Sequence, residues 1–185
     1  KLRPGQTAPA FELPDGKGES HSLAGLAEGK KALVVAFVCN HCPFVIHLAK
    51  EFGEFAAEMS LKGVQVVAIS SNDVANYPAD SPEKMVEFAA AYHWEFPYLY
   101  DETQEVAKAY AAACTPDFYV FDGDLKLTYA GQFDDTRPGR GGNITGADLR
   151  NAVEKTLAGE SVPEPWYPST GCNIKWKAGE APDYF

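Results

Sequence analysis

The sequence predicts one α/β domain with a mixed central β-sheet flanked by helices. Three observations predict it. Residues 32–38 are apolar throughout and include three valines, the pattern of a strand covered on both faces. Immediately afterwards Val45, Leu48, Phe52, Phe55 and Met59 recur at three- and four-residue intervals, one apolar stripe of a helix. Much later, Asp122-Gly123 stands between two apolar runs as a hairpin turn signal. Strands separated by helices imply a parallel core, and the late hairpin adds antiparallel strands.

The elements follow in order. The first thirty residues read as an N-terminal β extension. Phe11-Glu12-Leu13 alternates, and Pro14-Asp15-Gly16-Lys17-Gly18 is turn chemistry. After the buried strand, the long helix runs to about Lys62 and stops at Gly63. Pro43 is tolerated there because the first turn has no backbone bond to lose. Residues 64–69 form a second buried strand. Ser81-Pro82-Glu83 is a helix start of cap, proline and acid, and Met85, Phe88, Ala89 and Tyr92 give that helix its apolar face. A further helix is expected over 103–112. Strands follow at 118–121 and 125–129. Thr145-Gly146-Ala147-Asp148 resembles a capping box and opens a last helix lined by Leu149, Ala152, Val153 and Leu157. Asp134 to Gly142 reads as an exposed loop. The tail over 160–185 carries Trp166, Tyr167, Ile174 and Trp176, so it is expected to pack back on the body.

Composition bounds the function. The 185 residues fit a single domain over 1–185, and 45% hydrophobic with 23% charged residues is ordinary globular usage. Twenty-six acidic against 16 basic side chains give a net charge of −10. Such a surface repels phosphate backbones and anionic lipid, so neither nucleic acid nor a membrane surface is an expected partner. The longest apolar run, residues 32–39, is far shorter than the ~20 residues a bilayer crossing needs. The N-terminal residues have no signal-peptide hydrophobic region, which points to the cytoplasm, although the sequence does not begin with Met and a removed leader is left open.

Four cysteines are the chemical feature. Cys39-Asn40-His41-Cys42 sits where a buried strand gives way to a helix. A thiol at a helix N-terminus meets free N–H groups and a positive dipole end, which favour the nucleophilic thiolate. Cys39 is expected to be that thiolate, with His41 favouring it further, and Cys42 to resolve the mixed disulfide. A more stable thiolate makes a less stable disulfide, so the pair leans toward oxidising others. Two other readings compete: the bland one, inert buried cysteines, and a sharper one, a zinc site, which would need two more ligands while Cys114 and Cys172 are isolated. His47 reads as a surface or half-buried histidine. Asp134-Asp135 reads as a solvated turn, Arg137 and Arg140 as exposed, and the aromatics as core.

Several blocks together resemble the thioredoxin-like superfamily, and within it the AhpC/TSA-type, peroxiredoxin-like proteins. They are residues 5–13, residues 37–45 around the CxxC, Ser71-Asn72-Asp73 with Tyr77-Pro78, Phe96-Pro97-Tyr98-Leu99, Cys114-Thr115-Pro116-Asp117-Phe118, and residues 169–176. The resemblance implies a thioredoxin-like fold, a cis Pro116, and a Thr115 that faces the cysteines and offers backbone to a partner. Two departures matter. The proline and threonine that precede a peroxidatic cysteine are replaced by Ala32 and Ala36, so the hydroxyl that orients peroxide is missing. The strand before the CxxC also carries no acid, leaving His41, Asp117 or water to move the proton of Cys42. If the resemblance holds, Cys114 lies near the site. Cys114 and Cys172 are then expected either to approach each other as a second redox or structural pair or to be two buried thiols.

The expected function is thiol–disulfide oxidoreduction by Cys39 and Cys42, tuned by His41, with Thr115 and Pro116 shaping the docking edge. The partners are protein or small-molecule disulfides and thiols, and neither organic cofactor nor metal is required. A peroxidase using Cys39 is the second reading. A copper- or zinc-binding module is the third. The oligomeric state is left open.

Overall fold

The computed structural model describes residues 2–185. A short hairpin opens the chain, β1 (Glu12–Pro14) against β2 (Ser20–Ser22), followed by α1 (Leu23–Ala27). Then come β3 (Ala32–Phe37), α2 (Pro43–Ser60), β4 (Val64–Ser70), α3 (Pro82–Ala91), β5 (Tyr98–Tyr100), α4 (Glu105–Ala109), β6 (Cys114–Thr115), β7 (Asp117–Asp122), β8 (Leu127–Gly131), α5 (Ala147–Leu157) and β9 (Cys172–Asn173). The main sheet has the order β5-β4-β3-β7-β8. β3, β4 and β5 run parallel, and β7 and β8 are antiparallel to their neighbours. The expected mixed sheet flanked by helices is therefore present.

β3 is central, and its alternation divides the core. Ala32, Val34 and Ala36 pack with α2, α3 and α5 on one face. Leu33, Val35 and Phe37 pack on the other with Leu2, Phe11, Leu23, Tyr110 and Ile174. Every side chain of the strand is buried, which is why it shows no period of two in sequence. On α2 the stripe Val45, Leu48, Phe52, Phe55 and Met59 is buried as its spacing predicts. Phe52 is the hub of that face, with ring centroids 5.3 Å from Phe118, 5.4 Å from Phe96, 5.6 Å from Trp94 and 6.0 Å from both Phe55 and Phe133.

The structure departs from the sequence reading at several ends. The helix expected over 103–112 is only Glu105–Ala109. Gln104 turns into the left-handed region at φ 66°, and its buried amide donates to the carbonyls of Ser71 and Lys175. The returning strand starts at Leu127, because the turn extends through Leu125 at φ 61°. No capping box forms at Thr145. Gly146 is the N-cap in the left-handed region, and the Asp134 carboxylate accepts the N–H groups of Thr145 and Gly146 from outside the helix. Asp134 is thus buried, not a solvated turn residue. Arg137 is half-buried, not exposed, and donates to Gln132 Oε1 and to the Asp134 carbonyl. Among the described residues no helix is long and apolar enough to cross a membrane.

The tail returns to the body as expected. Ser169 Oγ donates to the Gly131 carbonyl, the Asp73 N–H donates to the Lys175 carbonyl, and Ile174 is buried. β9 pairs antiparallel with β6, with Thr115 opposite Cys172 and Cys114 opposite Asn173. Residue 171 must be glycine for this approach, since a Cβ there would lie 1.8 Å from the Thr115 carbonyl oxygen.

Truncating the aromatic hub tests this architecture. Phe52→Ala should lower unfolding free energy by about 3–5 kcal/mol, because the five surrounding rings cannot close the cavity. Urea unfolding should show a lower midpoint with an unchanged slope.

Candidate active site

The CxxC lies at the carboxyl end of β3, on the loop into α2. The local sequence explains its shape. Pro43 takes the first helical position, so Cys42 becomes the N-cap, and its carbonyl accepts the N–H groups of Val45 and Ile46. Cys39 stands three residues before the cap, outside the first turn. Both thiols are sealed from solvent, Cys39 at 1% exposure and Cys42 at 0%.

The two thiols interact directly, and their ionisation is coupled. The Cys39 thiol hydrogen-bonds to Cys42, which lowers Cys42 well below the ordinary thiol value and raises Cys39. Burial opposes ionisation of both sulfurs. Cys42 gains further from the Cys172 thiol and the Val45 N–H, whereas Cys39 faces the negative charge of Asp80. The helix end therefore favours the residue that caps it, and that residue is Cys42.

Thr115 serves both sulfurs. Its peptide bond to Pro116 is cis, as the resemblance implied. Thr115 Oγ1 lies 3.7 Å from Cys39 Sγ, and the Thr115 carbonyl oxygen lies 3.4 Å from Cys42 Sγ. A proton on Cys42 thus has an acceptor, and a thiolate on Cys39 has a donor. The two-sulfur unit holds one negative charge that a single proton transfer moves between them.

His41 stands beside both Cys39 and Asp80. Its Nδ1 lies 2.7 Å from Asp80 Oδ2, a close contact without hydrogen-bond alignment, and its ring stacks on Tyr77 at 5.8 Å with planes 5° apart. Asp80 is the site residue that the sequence reading missed. It is fully buried, and its carboxylate accepts the Asn40 N–H at 2.8 Å and the Asn72 amide at 2.9 Å. Its one sequence signal was its position between Tyr77-Pro78 and the Ser81-Pro82 helix start. Tyr98 completes this wall, its hydroxyl donating to Asn40 Oδ1. Burial first, then the charges of Cys39 and Asp80, push the Tyr98 phenol well above its ordinary pKa, so it stays a neutral donor.

Cys114 and Cys172, expected either as a pair or as two buried thiols, are both half-buried thiols. Neighbouring residues along a strand point to opposite faces. Thr115 and Cys172 are cross-strand partners and share the face toward the CxxC, while Cys114 and Asn173 share the other. The Cys172 Sγ lies 2.7 Å from Cys42 Sγ. Cys114 instead lies near the carbonyls of Pro116 and Ser169. His47 is half-buried, as expected, with Nε2 2.9 Å from Thr136 Oγ1.

Metal ligation, if any, would draw on different residues from those weighed in sequence. Cys39, His41 and Asp80 bring ligand atoms within 4.8 Å of one another, whereas Cys114 and Cys172 do not join them. That carboxylate is already held by two amide donors.

Three variants test the electrostatics of the pair. The reduced protein should carry one thiolate near neutral pH, visible by its ultraviolet absorbance and lost only on acidification, because the Cys42 pKa is depressed. Cys42→Ser should abolish it, and Cys39→Ala should shift its titration upward by removing the hydrogen-bond donor. Asp80→Asn keeps an oxygen acceptor for Asn40 while removing a charge that raises Cys39. Cys39 alkylation by iodoacetamide should then speed up several-fold at fixed pH.

Comparison with known proteins shows the family. A model of the AhpC/TSA family matches residues 4–130. A Mycobacterium tuberculosis protein named "Putative peroxiredoxin" is 34% identical over 131 residues, covering 70% of this chain and 78% of that protein. The crystal structure of a hypothetical protein from Sinorhizobium meliloti is 47% identical, covers 97% of each chain and superposes with a TM-score of 0.93. The thioredoxin domain of a thiol-disulfide oxidoreductase from Bacteroides vulgatus shares the fold at a TM-score of 0.65 and 21% identity, over 85% of this chain and 99% of that one. With the family match spanning most of its length, the chain belongs to the AhpC/TSA family and has a thioredoxin-like fold.

Proposed function

We propose that the protein is a thiol–disulfide oxidoreductase working through Cys39 and Cys42. The observation that carries this reading is the shared charge: two hydrogen-bonded thiols at a helix N-terminus, with Thr115 offering a donor to one and an acceptor to the other. Transfer of the Cys39 proton to Cys42 generates the Cys39 thiolate. That thiolate attacks one sulfur of a partner disulfide, forming a mixed disulfide and releasing the other sulfur as a thiolate. Cys42, after giving up its proton, attacks Cys39 Sγ and expels the second partner thiolate. The partner gains two electrons, and Cys39 and Cys42 end as a disulfide. His41 packs against Asp80, the carboxylate whose charge raises Cys39. Cys39 is only 1% exposed, and Thr115 and Pro116, expected to form the docking edge, are buried with Thr115 already paired to the tail strand, so docking must open the face over all three.

A second reading, reduction of peroxide, is supported by two observations. The M. tuberculosis relative is named a peroxiredoxin. The hydroxyl that Ala36 cannot supply is present in another form, as Thr115 Oγ1 beside Cys39. In that reaction the Cys39 thiolate takes one peroxide oxygen to become a sulfenic acid. Cys42 then condenses with it, releasing water and leaving the same disulfide.

Insulin reduction driven by dithiothreitol, run beside hydrogen peroxide consumption, separates the two. Disulfide reduction that is lost in Cys39→Ser supports the first reading, and Cys42→Ser should accumulate the mixed disulfide. Rapid peroxide turnover without insulin reduction would overturn it in favour of the second.

A further inference from the structure

The reaction above uses two cysteines, and the structure brings a third sulfur to them. We propose that Cys172 is a redox partner of Cys42, taking over the active-site disulfide so that the oxidised protein rests as Cys42–Cys172 with Cys39 free. This builds on the oxidoreductase reading of the same site.

Two independent features support it. The first is distance. Cys172 Sγ lies 2.7 Å from Cys42 Sγ, longer than a disulfide bond of ~2.05 Å yet well within attacking range. The second is how the tail is held. β9 pairs with β6 so that Cys172 and Thr115 share one face, and Gly171 passes so close to the Thr115 carbonyl that no side chain fits between them. The Asn72 side-chain oxygen accepts the Lys175 N–H, and the Gln104 side-chain oxygen accepts the Lys177 N–H. These contacts anchor the segment after Cys172 and prepay the entropy of bringing its sulfur to Cys42 across 130 residues of chain. Accessibility adds a role. Cys39 and Cys42 are sealed, whereas Cys172 is half-exposed. In a Cys42–Cys172 disulfide, an external thiol donor can reach the Cys172 sulfur without opening the face over Cys39.

The step balances internally. The Cys172 thiolate attacks Cys42 Sγ of the Cys39–Cys42 disulfide. The Cys42–Cys172 bond forms, the Cys39–Cys42 bond breaks, and Cys39 leaves as a thiolate. The proton lost from Cys172 is regained at Cys39, and the protein remains oxidised by two electrons throughout. In the reduced protein, burial and then the neighbouring Cys42 sulfur push the Cys172 thiol up to about 11. Once Cys42 is in a disulfide its share of that shift is gone, and the Lys175 charge favours the Cys172 thiolate.

Disulfide mapping tests this directly. Reduced full-length protein is oxidised with one equivalent of diamide, alkylated with iodoacetamide, digested without reductant and read by mass spectrometry. Most of the disulfide should join Cys42 to Cys172, with Cys39 alkylated, and Cys39→Ser should keep the link. A disulfide mainly between Cys39 and Cys42, with Cys172 alkylated, overturns the proposal. So does a bond between Cys114 and Cys172. A stability measurement gives an independent reading. A bond spanning 130 residues constrains the unfolded chain far more than one within the CxxC. Oxidation should therefore raise the urea midpoint of the wild type clearly and of Cys172→Ser little, and equal shifts in the two count against the proposal. The linkage is read by mass and not by turnover, so failure of the oxidoreductase reading and failure of this one are separate results.

Discussion

β3 is buried on both faces, and the rest of the structure depends on that constraint. A strand with no solvent face must sit in the middle of the sheet, between β4 and β7, with a layer of elements on each side. Each large side chain buried there contributes on the order of 1.5–3 kcal/mol, so the position is strongly held. The strand ends at Phe37, and the chain must then leave the sheet and enter α2 within a few residues. That short passage is the CxxC. Packing of the strand therefore fixes where the sulfurs sit, and the proline that follows fixes which of them caps the helix.

The site is built from partners that tertiary packing brings in from four other regions. Thr115 comes from β6, Asp80 from the turn before α3, Tyr98 from β5 and Cys172 from the tail. They divide the site electrostatically. Asp80 and its amide donors hold negative charge on the Cys39 side, while the α2 N-terminus and the Cys172 thiol stabilise it on Cys42. The functional asymmetry of the two cysteines thus lies in their neighbours rather than in their order along the chain.

Much of this was legible locally. The two-sided apolar run, the helical stripe from Val45 to Met59 and the CxxC between them are short-range patterns set by backbone period, and each appeared where its spacing put it. Element ends were less legible, because long-range contacts moved them. Gln104 left its helix to bond Ser71 and Lys175, and Asp134 replaced the expected cap at Thr145. The resemblance to thioredoxin-like proteins added the cis Pro116, which no local rule supplied.

The sequence by itself determined the fold class, the central strand and the chemistry of a CxxC opening a helix, because those follow from hydrophobic period and helix-end electrostatics over a few neighbouring residues. Only the tertiary structure decided that Thr115 reaches both thiols, that His41 contacts Asp80, and that Cys172 meets Cys42. The reason is strand register. A pairing between β6 and β9 that was shifted by one residue would turn Cys172 away from the site, and nothing local to either segment specifies that register.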